Sequence, residues 1–181
     1  LFPQFSHAQT TDNNIYEGNK LYKKQEYKKA AAVYKKTTKD KKAKTQIPAR
    51  FNLGNTLMQS MQAEEALKQF EYVGAKAKDK KLSAYAYHNA GNVMAQQEKW
   101  QEAINYYKAS LKKNPQSQQT KYNLAYAQQK LKEQENQQQD KQDKQDKDQQ
   151  DKQQDQNKRP KDNKDEEDQQ NKDSKQDKPK D

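Results

Sequence analysis

Side chains able to do acid–base, metal or nucleophilic chemistry are few in this chain of 181 residues, and they are poorly placed for it. The two histidines, His7 and His88, lie far apart, and neither has a second ligand at the spacing that lets a helix or turn present two donors to one metal. Cysteine is absent, which removes disulfides and zinc thiolates. Glu64 with Glu65, and Glu98 with Glu102, form carboxylate pairs, but each falls at a helix start, where negative charge complements the dipole. No glycine-rich loop is available to cradle a phosphate. What recurs instead is the asparagine amide, at Asn19, Asn52, Asn55, Asn89, Asn92 and Asn123, a group that both donates to and accepts from a peptide backbone. The expectation is a non-enzymatic binding protein with no metal and no cofactor.

Those amides need elements to hold them, and the stretch from Tyr85 to Pro115 shows which. Tyr87, Ala90, Gly91 and Met94 recur at helical spacings, as do Trp100, Ala103, Tyr107 and Leu111. Gln97-Glu98-Lys99 between them is long enough only for a tight turn, so the two helices must pack antiparallel. Gly91 and Ala103 are expected to face each other and let the backbones approach, with Tyr107 and Met94 beside them. Pro115 ends the unit.

The pattern repeats. Gly-Asn occurs at Gly18, Gly54 and Gly91, spaced by 36 and 37 residues, and Tyr122-Asn123-Leu124-Ala125 follows at a similar interval. Each glycine is followed twelve residues on by Ala30, Ala66 or Ala103, and sixteen on by Tyr34, Phe70 or Tyr107. A period in the mid-thirties means an all-α solenoid of helix-turn-helix units. Helices are expected at 12–24, 27–40, 48–60, 63–76, 82–96 and 100–112. A seventh, at 117–131, would cover the apolar face of the last repeat.

These residues resemble the tetratricopeptide repeat (TPR) family, closely for Tyr85 to Pro115, well for Ala49 to Val73 and less so for Asn14 to Thr37, where Asn14 and Glu17 stand at usually apolar positions. The resemblance implies repeats at about 11–44, 47–80 and 84–117, a covering helix at 117–131, and a concave groove lined by the first helix of each repeat. Residues sharing that face would be Ile15, Asn19 and Tyr22, then Phe51, Asn55 and Met58, then His88 and Asn92, and finally Tyr122 and Tyr126. For Asn52, Asn89 and Asn123, two readings stay open: contact with a ligand, or a hydrogen bond to a neighbouring helix. Relatives that clamp the C-terminal carboxylates of chaperones pair two Asn with several Lys or Arg. Asn19 and Asn52 match, but Ile15, Tyr85 and Asn89 stand where the cations should be, so no chaperone-tail clamp is implied.

The flanks differ in kind from the repeats. Residues 1–10 read as the remnant of an export signal or a terminus without fixed structure, since Ser6-His7-Ala8 follows apolar Leu1, Phe2 and Phe5. From Lys132 to Asp181 there is no apolar residue, and a Gln/Lys/Asp-rich tail without fixed structure is expected. No stretch approaches the roughly 20 apolar residues of a membrane span. The plan resembles BatC-type proteins of the bacterial aerotolerance (Bat) operons, through FNLGN at Phe51 to Asn55, NYYKASLKKNP at Asn105 to Pro115 and KYNLAYA at Lys121 to Ala127. That resemblance implies an exported, periplasmic or envelope protein working beside membrane-anchored von Willebrand factor A domain proteins.

Charge offers a rival reading. The chain carries +10, but from Glu133 onward twelve basic and sixteen acidic residues leave the repeats with all of the excess. Lys28, Lys29, Lys35, Lys36, Lys39, Lys41, Lys42 and Lys44 cluster in and after one helix. A cytoplasmic adaptor using these helices on an acidic protein or nucleic acid is the alternative. Nucleic acid ranks below an acidic protein or anionic lipid, because only Arg50 and Arg159 offer bidentate contacts.

Overall fold

The structure, a computed structural model, describes residues 7–39 and 44–157. Among the described residues it is all-helical, with α1 His7–Lys23, α2 Tyr27–Thr38, α3 Gln46–Gln59, α4 Ala63–Lys76, α5 Lys80–Gln96, α6 Trp100–Lys113 and α7 Gln118–Asn157. Helices α1 to α6 form three antiparallel hairpins, here repeats 1 to 3, and each helix packs on the next.

One ring and one glycine hold each hairpin together. A Cβ added at Gly18 would lie 2.4 Å from Cε1 of Tyr34, one at Gly54 2.6 Å from Phe70, and one at Gly91 2.4 Å from Tyr107. The ring therefore lies in the space a side chain would occupy, and Ala30, Ala66 and Ala103, one turn before each ring, are fully buried. The Tyr107 ring, expected beside Gly91, lies directly on it. The backbones approach because the Tyr107 ring sits on the glycine. Between repeats 2 and 3, Gly74 receives the Tyr87 ring in the same way, at 2.7 Å.

The hairpin turns share one conformation. Gln25, Met61 and Glu98, each seven residues after the packing glycine, have φ of 61°, 58° and 56°. The residue after each folds its N–H back onto the first helix, Glu26 to the Leu21 carbonyl at 3.0 Å, Gln62 to Leu57 at 2.9 Å and Lys99 to Met94 at 3.0 Å. That closure satisfies carbonyls orphaned at a helix end. Glycine usually takes the left-handed position, so three non-glycine residues there carry a strain of about 1 kcal/mol each.

First helices form one layer and second helices another. Asn52 of α3 reaches Asn19 of α1, Asn89 of α5 reaches Asn55 of α3, and Asn123 of α7 reaches Asn92 of α5. In the other layer the Tyr106 hydroxyl of α6 donates to a Glu71 carboxylate oxygen of α4. Buried serines fasten the helices, Ser83 of α5 donating across repeats to the Gly74 carbonyl of α4 at 2.6 Å and Ser110 of α6 donating within repeat 3 to the Ala84 carbonyl of α5 at 2.8 Å. Helix α7 covers the last repeat with buried Thr120 and Ala127 and with Leu124 and Leu131 packed against the core.

Two ends differ from expectation. Helix α1 begins at His7, ahead of the expected residue 12, and the rest of the export-like segment, residues 1–6, lies outside the described residues. Helix α7 does not stop at Leu131 but runs to Asn157, while the packed unit ends at Glu133 and a second unit covers Gln134–Asp181. No glycine or proline interrupts 132–157, and Gln, Lys and Glu propagate a helix once it is nucleated. Residues 134–139 are all exposed, so nothing is buried in extending it there. The remaining tail, residues 158–181, lies outside the described residues, as do residues 40–43. No described helix is long and apolar enough to cross a membrane.

Candidate functional site

The six recurrent asparagines form a ladder across the first-helix layer. Asn19 Oδ1 accepts from the Tyr34 hydroxyl at 2.7 Å and from Asn52 Nδ2 at 3.0 Å. Asn92 Oδ1 accepts from the Tyr107 hydroxyl at 2.8 Å and from Asn123 Nδ2 at 3.0 Å. Asn55 Oδ1 accepts from Asn89 Nδ2 at 2.8 Å. Asn52, Asn89 and Asn123 thus each bond to a neighbouring helix through Nδ2, while their Oδ1 atoms enter no described hydrogen bond. Asn19, Asn55 and Asn92 are tied as well, through their oxygens, whereas their own Nδ2 groups enter no described hydrogen bond.

The hydroxyls that fix two of these amides are dependable donors. Burial pushes the Tyr34 and Tyr107 phenols up to about 12, so both keep their proton at any physiological pH. Beyond the described hydrogen bonds the ladder therefore keeps Nδ2 donors on Asn19, Asn55 and Asn92 and Oδ1 acceptors on Asn52, Asn89 and Asn123. Between α1 and α3 these residues enclose a cleft of about 100 Å³, lined by Asn19, Tyr22, Tyr34, Asn52 and Asn55. That is too small for a cofactor or drug-sized ligand, which needs about 300 Å³ or more.

The other expected groove residues separate into three groups. Ile15, Tyr22, Phe51 and Met58 are half-buried and packed against the core, and Tyr22 leans edge-on against Tyr27 at 5.5 Å. His88 is a correction, because only 6% of it is exposed and it cannot line an open face. Its Nδ1 lies 3.0 Å from the buried Thr120 hydroxyl, its ring packs on Tyr107, and its Nε2 is buried with no partner. Desolvation lowers its pKa, so the imidazole is held neutral. Tyr122 and Tyr126 are 73% and 46% exposed, as a contact surface requires. Tyr126 stands edge-on to Trp100 at 6.1 Å, with the Lys130 ammonium 5.7 Å from its centroid.

Tyr85, which the sequence puts at a cation position of a chaperone-tail clamp but not among the expected contact residues, is 53% exposed. Its register, seven residues before Asn92 and thus two turns along the same face, is the sequence signal for that exposure. Arg50 is occupied within the fold, its guanidinium 4.1 Å over the Tyr72 ring and donating to Gln69 Oε1 at 2.9 Å. Among the described residues no group of three or more His, Cys, Asp or Glu could hold a metal.

Residues 84–117 match the family model for the tetratricopeptide repeat. Set beside the glycine-and-ring hairpins, that match decides the architecture. The fold is a tetratricopeptide-repeat solenoid. Solved TPR structures agree: the chain is similar to the TPR2AB domain of yeast Sti1, in a structure titled as a pHSP90 complex, with 22% identity and a TM-score of 0.62 over 70% of this chain and 49% of that one. This chain thus spans about half the length of the Sti1 chain. It is also similar to the Sgt2 TPR domain of Aspergillus fumigatus, at 19% identity and a TM-score of 0.62 over 75% of this chain and 88% of that one. The first TPR domain of human RPAP3 aligns at 20% identity and a TM-score of 0.60, over 70% of this chain and 95% of that one. No curated protein matches the chain.

Proposed function

We propose that this TPR protein is a non-catalytic docking scaffold that holds an extended, polar segment of a partner protein across its first-helix layer. The observation that carries the reading is the ladder: Asn19, Asn55 and Asn92 each use Oδ1 within the fold and leave Nδ2 out of every described hydrogen bond. Donors on these three amides, with the Oδ1 acceptors of Asn52, Asn89 and Asn123 beside them, suit the C=O and N–H groups of an extended backbone, and Tyr85, Tyr122 and Tyr126 add aromatic surface at the C-terminal end. A protein of similar fold, the first TPR of Spaghetti (RPAP3), binds the HSP90 peptide SRMEEVD. That supports peptide capture as the use of such a face. The ligand here is a different one, since Ile15, Tyr85 and Asn89 take the places of carboxylate-binding cations.

The resemblance to BatC-type proteins supports a role in a bacterial envelope complex, in which the chain is exported and works beside von Willebrand factor A domain proteins. The test uses purified von Willebrand factor A domains as the probe, measured against the wild-type chain and a variant carrying Asn55→Asp and Asn92→Asp. Aspartate keeps the inward oxygen and replaces the outward donor with an acceptor, so the fold should persist while binding weakens by about 1 to 3 kcal/mol. Equal binding by both proteins would remove the ladder from the site. Failure of the wild type to bind would remove that partner.

A further inference from the structure

Helix α2, YKKAAAVYKKTT, contains no acidic residue, and Lys28, Lys29, Lys35 and Lys36 are all exposed, as is Lys39 at its C-cap. At helical spacing Lys28, Ala32, Lys35 and Lys39 form one strip, with Lys29 and Lys36 beside it. Ala30, Tyr34, Thr37 and Thr38 are buried on the opposite side, which fixes the strip outward. From Lys28 to Lys39 it is about 16 Å long at the helical rise. The equivalent helices are built otherwise: α4 sets Glu64, Glu65 and Glu71 against Lys68 and Lys76, and α6 has Glu102 with Lys108, Lys112 and Lys113. Solvating an outer helix does not require an all-cationic face, as α4 demonstrates, so the concentration on α2 is a local feature. Among the described residues, only Lys29 of these lysines has a carboxylate at ion-pair distance, Glu26.

We propose that this strip seats the chain on an anionic phospholipid bilayer. Each ammonium is a compact point charge, and the exposed face of α2 offers no guanidinium fork and no exposed aromatic anchor. Such a face reads the density of negative charge rather than a sequence or a shape. Mobile phosphate headgroups meet that demand by gathering under the lysines, whereas a nucleic-acid site would add Arg and a protein interface would add buried aromatics. With no apolar side chain to insert, docking is reversible and falls with salt. The asparagine ladder belongs to the other helix layer, so a docked chain keeps it accessible. This inference does not depend on the ladder's having a ligand.

The test is co-sedimentation of the full chain with vesicles of phosphatidylcholine, alone or with about 30 mol% phosphatidylglycerol. Binding is expected only to the anionic vesicles, and is expected to be lost as salt rises from about 0.05 to about 0.5 M. A variant carrying Lys28→Gln, Lys35→Gln, Lys36→Gln and Lys39→Gln should bind at least about tenfold more weakly. Changing the same four lysines to Arg should restore binding, and circular dichroism would confirm that both variants fold. The control removes equal charge elsewhere, through Lys68→Gln, Lys76→Gln, Lys108→Gln and Lys112→Gln, and should lose no more than about twofold. Absence of wild-type binding, or equal loss in the control, would overturn the proposal. So would tighter binding to duplex DNA than to the anionic vesicles at the same salt, which would assign the strip to nucleic acid.

Discussion

Three residues before its packing glycine, repeat 2 has Phe51 where repeat 3 has His88, and sixteen residues after it, Phe70 where repeat 3 has Tyr107. Both pairs bring their rings together, at 6.0 Å and 63° for Phe51 with Phe70 and at 5.7 Å and 49° for His88 with Tyr107. Repeat 2 does this with carbon alone. Repeat 3 adds a phenol that holds Asn92 and an imidazole that meets Thr120 of α7, while leaving one ring nitrogen buried and unpartnered. The ring on the glycine is thus the shared packing device, and the polar atoms attached to it in repeat 3 connect the core to the ladder and to the covering helix.

If the ring is the shared device, a methyl group under it should be equally damaging in both repeats. Gly54→Ala and Gly91→Ala each place a Cβ within 2.6 Å of a buried ring atom, 2.6 Å in repeat 2 and 2.4 Å in repeat 3. Each should lose about 2 to 3 kcal/mol in urea denaturation, the cost of overpacking a tight site. A loss confined to Gly91 would show that the polar contacts, not the ring, hold repeat 3.

Removing the phenol alone separates the two contributions. Tyr107→Phe converts repeat 3 toward repeat 2 and leaves Asn92 with Asn123 as its only described donor. A loss of about 1 kcal/mol is expected, since the site borders the open face and water can take the place of the hydroxyl. A loss as large as that of Gly91→Ala would make the hydroxyl structural in its own right.

The imidazole gives repeat 3 a pH response that repeat 2 lacks. Burial lowers the His88 pKa below its ordinary 6.5, so in the window between the two values the unfolded chain binds more protons than the folded one. This contribution to stability is complete above 6.5, is lost as pH falls below it, and levels off once the folded-state pKa is passed. His88→Phe, the repeat 2 residue, should flatten the melting temperature between pH 7 and 5. Thr120 would keep Ser117 and Ser110 as partners, so its hydroxyl would not be orphaned. An unchanged pH slope would place the proton uptake elsewhere.

Much of this comparison was legible in the chain. The interval of sixteen residues from glycine to aromatic gave the hairpins, and the repeat period gave their succession. The ladder was half-legible: Asn19 to Asn52, Asn55 to Asn89 and Asn92 to Asn123 are each about one repeat apart, but an amide that can face a ligand or a neighbour carries the same letter in both cases. His88 shares a helical face with Asn92 and was read with it, because periodicity gives direction but not the depth created when α7 closes over repeat 3. The turns were hidden because Gln25, Met61 and Glu98 adopt a conformation that glycine usually marks. Helix α7 beyond Leu131 is hidden for the opposite reason, since residues 134–139 continue the helix while all exposed, with no burial to announce it.

The smallest effect is expected from the reverse exchange, Phe70→Tyr, which gives repeat 2 the phenol that repeats 1 and 3 already have. In those repeats the hydroxyl meets the asparagine after the packing glycine, at 2.7 Å from Tyr34 to Asn19 and 2.8 Å from Tyr107 to Asn92. Phe70 lies on Gly54 in the same register, and Asn55 Oδ1 accepts only from Asn89 among the described hydrogen bonds. A hydroxyl there should find a ready acceptor and add about 0.5 kcal/mol, the net worth of one hydrogen bond after desolvation of the phenol. It should also hold the Asn55 amide with its N–H outward, so any ligand of the ladder should bind slightly tighter, not weaker. Destabilisation by more than about 1 kcal/mol would mean that the ring of repeat 2 has no room for an added oxygen. In that case the carbon-only pair Phe51 and Phe70 is required by the packing between α3 and α4, and the two repeats are not interchangeable versions of one device.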